Sequence, residues 1–265
     1  MKKAIIYLVV FLALEVTLGL AASLLTSPEA ASALGTDLFA KADPLAVNLT
    51  VTALIAVSLL AVFLPAKWCP VSRDYIRSRP WGTLFWTILL GLGVIIPLTW
   101  LEEFLPEAWT VNLLKEEMAE MLHSTAGYFV VAMLMPLAEE VVFRGAIIRA
   151  LSATTRSAWV PIVVSALFFA GAHMNPAQMP HAFLAGLILG WLFVRTGSII
   201  PGFLVHWINN SASYALAALY PHISVDDPLS AYFGGSESAV IRAVISSLLI
   251  AIPSFYQVHL LTRKR

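Results

Sequence analysis

The chemistry available to this 265-residue chain is concentrated in three short polar runs set inside apolar sequence. The first is Leu137-Ala138-Glu139-Glu140-Val141-Val142-Phe143-Arg144. On a helix, Glu140 and Arg144 are four apart on one face with the acid N-terminal, the favourable order for an ion pair. Glu139 lies about 100° around the helix and has no such partner in its own turn. One carboxylate is thus neutralised and its neighbour left free to titrate, a separation that acid–base catalysis uses. The same pattern also suits a structural buried ion pair beside a bystander acid. The second run, Phe168-Phe169-Ala170-Gly171-Ala172-His173, ends a hydrophobic stretch on a histidine, either a catalyst or a satisfied polar residue. The third is His206-Trp207-Ile208-Asn209-Asn210, in which His206 and Asn210 share a face and present two donors to one point. Polar glue between membrane helices has the same appearance. His181 and Glu15 are read as a helix-end residue and a partner in an interhelical hydrogen bond. Taken together, a free carboxylate, two histidines and a carboxamide supply a general base, a water-orienting imidazole and oxyanion donors, the parts needed to hydrolyse an acyl bond. Ser211 and Ser213 have no G-x-S-x-G frame and Cys69 falls in a connecting loop, so water is the expected attacking group.

The elements that must position these residues follow from composition. The chain is 59% hydrophobic and 12% charged, with a mean hydropathy of +0.83. An ordinary soluble domain is about 45–50% apolar and about 25% charged. That deficit of charge excludes a soluble globular enzyme, a disordered tail and a nucleic-acid binder working through a basic face. Eight apolar stretches run roughly over 4–26, 46–66, 81–101, 125–150, 157–174, 180–195, 199–219 and 239–262. At about 20 residues per crossing, they predict an all-α, polytopic integral membrane bundle of about eight transmembrane helices. Nothing alternates at period two, as the strands of a membrane β-barrel would. A single cysteine excludes an internal disulfide and a cysteine-rich metal site. Within the one bundle, 1–124 holds helices one to three and an acidic extramembrane segment, 125–219 the helices carrying the motifs, and 220–265 a loop and the last helix.

Of the 16 Lys and Arg residues, 13 fall on one side of these spans: Lys2, Lys3, Lys67, Arg73, Arg77, Arg79, Arg144, Arg149, Arg156, Arg195, Arg263, Lys264 and Arg265. Lys41, Lys115 and Arg242 are the exceptions. The alternate connections hold acids, beginning with Glu29, Asp37 and Asp43, and continuing through Glu102 to Glu120 and Asp226 to Glu237. The positive-inside rule then places both termini in the cytoplasm. Glu15 interrupts the first apolar run, which is long enough to span, so a retained helix is expected rather than a cleaved signal peptide. Trp68, Trp81, Trp100, Trp109 and Trp159 fall near span ends, as an interfacial belt requires. Gly186 and Gly190 make a small-xxx-small pair suited to close helix packing, although two incidental glycines would look alike. The acidic 102–124 stretch reads as an interfacial or extramembrane helix.

Glu139-Glu140 with Arg144 reads as EExxxR, Phe169 to His173 as FxxxH, and His206 to Asn210 as HxxxN. In that order on successive spans, these resemble the CPBP family of intramembrane glutamic proteases. That family includes the type II CAAX prenyl endopeptidases (the Ras-converting-enzyme group) and bacterial relatives linked to bacteriocin self-immunity. Phe143-Arg144-Gly145 and Arg195-Thr196-Gly197-Ser198 also look like the family. The resemblance covers about 125–215, while spans one to three and eight carry none of its motifs. It implies that Glu139 activates water with help from His173, that His206 and Asn210 stabilise the oxyanion, and that Glu140, Arg144 and Phe169 support the site. No cofactor is implied. The zinc-protease alternative has legitimate ligands in two histidines and a glutamate but lacks an H-E-x-x-H helix.

Two other classes compete: an inactive membrane scaffold of the same fold, and a transporter whose intramembrane charges form an ion path. The complete polar set argues against the first. The absence of a broken-helix repeat argues against the second. The expected partners are the lipid bilayer and a membrane-associated protein or peptide substrate: a CAAX-like C-terminus, a sorting tail or a bacteriocin-type peptide. Nucleic acid is not expected, and the sequence is silent on oligomeric state. A prokaryotic inner membrane is the expected location.

Overall fold

Apolar runs of this length can satisfy their backbone N–H and C=O groups within lipid only as helices. The computed structural model describes residues 1–26, 43–70, 73–224 and 226–263, and no strand occurs among them. Glu29, Asp37, Lys41, Lys264 and Arg265, which contribute to the charge pattern above, lie outside the described residues. The helices are α1 (Lys2–Thr26), α2 (Pro44–Phe63), the short α3 (Arg73–Arg77), α4 (Trp81–Glu102) and α5 (Lys115–Leu122). They continue with α6 (Thr125–Ser152), α7 (Trp159–Ala172), α8 (Met179–Thr196), α9 (Ile199–Leu219) and α10 (Glu237–Leu261).

All eight apolar stretches are helical, as α1, α2, α4 and α6 to α10. Six of these, α1, α2, α4, α6, α8 and α10, are long and apolar enough to cross a membrane. The two that fall short are those that carry the second and third polar runs. α7 has 14 residues and is thus about 21 Å long, less than the ~30 Å hydrocarbon core, because it stops at His173. α9 has the length, but His206, Asn209, Asn210, Ser211 and Ser213 lower its hydropathy. The acidic stretch yields α5, with no buried residue.

Local sequence sets the ends. Asp43 caps α2 by accepting from Leu45 N at 3.3 Å, with Pro44 at the first helical position. Gly197 ends α8 at φ +67°, and Ser198 then caps α9 by accepting from Ile200 N at 3.2 Å. The Arg195-Thr196-Gly197-Ser198 stretch is therefore the tight α8–α9 turn. α10 packs along α4, α7 along α8, α9 against α4 and α8, and α1 against α2 and α6. Gly186 and Gly190 serve the predicted close approach: an added Cβ would meet Ala166 Cβ at 3.0 Å and Ile162 and Ile148 at 3.1 Å. One core links Phe11, Phe63, Phe143 and Phe169, and a second centres on Leu90, Ile162, Leu189 and Leu192.

α6 departs from an ordinary α-helix. Tyr128–Leu134 and Glu140–Ile148 are π-helical, separated by the α turn Met135–Glu139. Met135 N–H donates to Val130 O, five residues back, just before Pro136, which has no N–H to give. Single π turns cluster at functional sites, and here the second run starts at Glu140.

Candidate active site

The second π-helical stretch of α6, Glu140–Ile148, is buried throughout, so its charged side chains must answer one another. Glu140 and Arg144 are both 0% exposed, and Arg144 Nη1 donates to Glu140 Oε1 at 2.8 Å. This is the i,i+4 pair expected from the sequence. The guanidinium also lies 4.4 Å over the Phe169 ring, a cation–π contact that gives the planar charge a second partner. α9 closes on the pair at Gly202, where a Cβ would stand 2.6 Å from Glu140 Oε2. Only a residue without a side chain lets the carboxylate and that helix backbone come so close.

One turn further along α9, His206 inserts between the two glutamates. Its Nδ1 is 3.2 Å from Glu140 Oε1 and its Nε2 is 3.6 Å from Glu139 Oε2. A carboxylate engaged by Arg144 has only acceptors to offer, so Nδ1 carries its hydrogen toward Glu140 and Nε2 faces Glu139. The imidazole that reaches Glu139 is thus His206. His173 closes α7, with Nδ1 2.9 Å from Phe169 O, and its ring stands edge-on to Phe169 at 4.8 Å. His206 meets the same ring at 5.6 Å. Phe169 is the common wall for Arg144, His173 and His206. Glu139 is 9% exposed and His206 8%, so the pair borders the site's accessible face. Ser165 Oγ donates to Phe143 O at 3.0 Å, binding α7 to α6 beside this cluster.

Asn210 Nδ2 donates to Val131 O at 3.1 Å across the α6–α9 contact. Its amide carries a second N–H, which leaves one donor for a ligand. Asn210 is in turn the end of a chain that sequence reading missed. Asn209 Nδ2 donates to Asn210 Oδ1 at 3.3 Å, and Asn209 Oδ1 faces His181 Nε2 at 3.1 Å. His181 Nδ1 is 2.6 Å from Glu102 Oε1 at the end of α4. Every amide orientation follows from the Val131 carbonyl, which can only accept: Asn210 must offer it nitrogen, Asn209 must donate to Asn210, and His181 must donate to Asn209. His181 does begin a helix, as expected, but it also joins α4 to α9. The adjacent Asn209-Asn210 pair was the available sequence signal.

Asn175 was also unforeseen. It is 0% exposed, its Oδ1 accepts from Leu113 N at 3.1 Å, and its Nδ2 donates to Asn112 Oδ1 at 2.9 Å. It pins the turn that follows His173, where Met174 adopts φ +48°. Glu15 differs from expectation: its buried Oε2 has no hydrogen-bond partner. Ser211 Oγ is engaged with Tyr128 OH at 3.2 Å, and Trp207 Nε1 donates to the same phenol at 3.1 Å. Cys69 is buried against Gly145, the residue after Arg144, and burial pushes its thiol up to about 11. Among the described residues, no group of three or more His, Cys, Asp or Glu side chains is arranged to hold a metal ion.

The ordered set of glutamates, histidines and asparagine falls in one stretch of the chain, and that stretch has a known counterpart. Residues 121–212 match the family model described as Type II CAAX prenyl endopeptidase Rce1-like. That segment, 92 of the 265 residues, is similar to the Rce1-like family. The match contains Glu139, Glu140, Arg144, Phe169, His173, His206 and Asn210, together with His181 and Asn209. No curated protein and no solved structure matches the chain significantly. With six described helices long and apolar enough to cross a bilayer, the chain is a polytopic helical membrane protein whose 121–212 segment is similar to a family of proteases.

Proposed function

We propose that the protein is an intramembrane endopeptidase that uses Glu139 to activate water against a peptide bond of a membrane-associated protein or peptide. The observation that carries this reading is the three-helix junction at which Glu139, Glu140 and His206 meet within 3.6 Å, with Phe169 joining His173 to Arg144. Glu140 is neutralised by Arg144 and orients His206, which leaves Glu139 as the carboxylate free to take a proton.

In this mechanism a water beside Glu139 and His173 gives a proton to Glu139 as its oxygen bonds to the scissile carbonyl carbon. The carbonyl π pair moves onto oxygen. The second Asn210 N–H donates to the resulting oxyanion, and His206, whose Nδ1–H is held by Glu140, joins it from Nε2 only as the doubly protonated imidazolium. Collapse breaks the C–N bond, and the proton on Glu139 passes to the departing amine. His206 uses Nδ1 on Glu140 and His173 uses Nδ1 on the Phe169 carbonyl. These commitments leave Nε2 free on both rings, an arrangement that a zinc-ligating histidine also uses, so chelation is what separates the carboxylate mechanism from zinc chemistry. Chelation with 1,10-phenanthroline should leave cleavage unchanged, and loss of cleavage restored by added zinc would contradict the metal-free reading.

The substrate class is a CAAX-like C-terminus, a sorting tail or a bacteriocin-type peptide, and the location is a prokaryotic inner membrane with both termini cytoplasmic. The test is a mass-spectrometric comparison of membrane-protein C-termini in cells making the native protein or Glu139→Gln. Truncated ends present only with the native protein are expected. Identical end profiles at equal protein levels would refute the proposal.

A further inference from the structure

Where α1 begins and α6 ends, the bundle opens into a cleft of about 910 Å³, within the range of ligand sites. Lys2, Lys3, Lys67 and Arg149 line it, and no Asp or Glu does. Among the described residues, Arg144, Lys115 and Arg77 each have a carboxylate partner, whereas these four cations have none. Like charges gathered in a concave, low-dielectric site raise the local positive potential and attract a counter-ion.

The backbone places one of these cations at a conformational cost. Lys67 stands at φ +58°, the left-handed region that suits glycine, in the turn where Trp68 N donates to Phe63 O at 3.1 Å. A glycine would relax the turn but would remove the charge. Beneath the cations the wall is aromatic: Tyr7 and Trp68 pack at 4.7 Å, and both rings contact Phe63. Ile6 lines the cleft and is 52% exposed. Ile5 and Val9 continue an exposed apolar surface along α1. A ligand fitting this site carries phosphate at one end and hydrocarbon at the other.

We propose that the cleft binds the phosphate group of an anionic phospholipid, with Lys67 and Arg149 as the principal ligands and the acyl chains along α1. Basic pockets between membrane helices serve lipid headgroups in this way. Arg149 belongs to the same helix as Glu139 and Glu140, so an occupied site would also fasten the far end of the helix that carries the carboxylates. The binding is independent of peptide hydrolysis.

The experiment is native mass spectrometry of the purified full-length protein in detergent, titrated with phosphatidylglycerol, phosphatidylcholine or inorganic phosphate. Phosphatidylglycerol should bind at least tenfold more tightly than phosphatidylcholine, and millimolar inorganic phosphate should not displace it. Lys67→Gln with Arg149→Gln should abolish the preference. Because that pair could impair folding, Lys67→Gly serves as the second variant. It relieves the positive φ, so its melting temperature should be no lower than native, while phosphatidylglycerol affinity should fall severalfold. Equal binding of both lipids, or unchanged phosphatidylglycerol affinity in both variants, would overturn the site. Full displacement by inorganic phosphate would overturn its assignment to a lipid.

Discussion

Glu140 is held from two sides, by the Arg144 guanidinium at 2.8 Å and the His206 imidazole at 3.2 Å, and each contact has a separable consequence. Truncating Arg144 to Ala leaves a buried carboxylate without its counter-charge, a change that costs about 3–5 kcal/mol. Arg144→Ala should therefore unfold in detergent at a clearly lower temperature, and native-like unfolding would show that the pair is not structural. The Asn209–Asn210 contact makes a sharper prediction. Removing Asn210 should slow turnover by roughly the hundredfold or more typical of one oxyanion donor. Asn209→Asp keeps the size and the acceptor for His181 but turns a carboxylate on Asn210 Oδ1. It should lower kcat with little change in KM, and should have no further effect in an Asn210→Ala background, since coupled residues are non-additive. An undiminished effect in that background would mean that Asn209 does not act through Asn210. The glutamate–arginine pair was legible in the sequence because i,i+4 spacing alone brings the charges together. The chain from Glu102 through His181 to Asn209 was not, because its members lie on α4, α8 and α9 and meet only through packing.

At the level of helices, the site depends on how closely α9 and the turn after α7 approach α6. Gly202→Ala would push a methyl group into Glu140 Oε2, which stands 2.6 Å from the added Cβ. Overpacking of this kind costs about 1–3 kcal/mol. The variant should therefore lose both melting temperature and cleavage, and full activity would contradict the observed contact. Asn175→Ala frees the turn after His173 and leaves Leu113 N without its acceptor. Its expected signature is a lowered kcat with a modest loss of stability, read by parallel turnover and unfolding measurements. Apolar run length revealed every long helix. The π-helical character of α6 was hidden, because a shift from i,i−4 to i,i−5 bonding leaves hydropathy unchanged. Pro136 was the one residue that marked it.

For the whole molecule, charge is sorted by end. Lys2, Lys3, Lys67 and Arg149 share one cleft, while Glu102 and the Lys115–Asp226 pair, 3.0 Å apart, belong to acidic connections. The sorting was legible from the order of the loops; the cleft was not, because its walls come from α1, the turn after α2 and the end of α6. The topology can be read with impermeant maleimide, since Cys69 is 2% exposed and stays silent. Glu116→Cys should label in intact cells, and Ser78→Cys only after permeabilisation. The reverse pattern would invert the molecule in its membrane. The central claim is that Glu139 is the base, and it is tested most directly by measuring peptide-bond cleavage by the purified protein in liposomes beside Glu139→Gln. The account predicts cleavage by the native protein and none by a Glu139→Gln variant that inserts and melts normally. Cleavage by that variant at the native rate would contradict it.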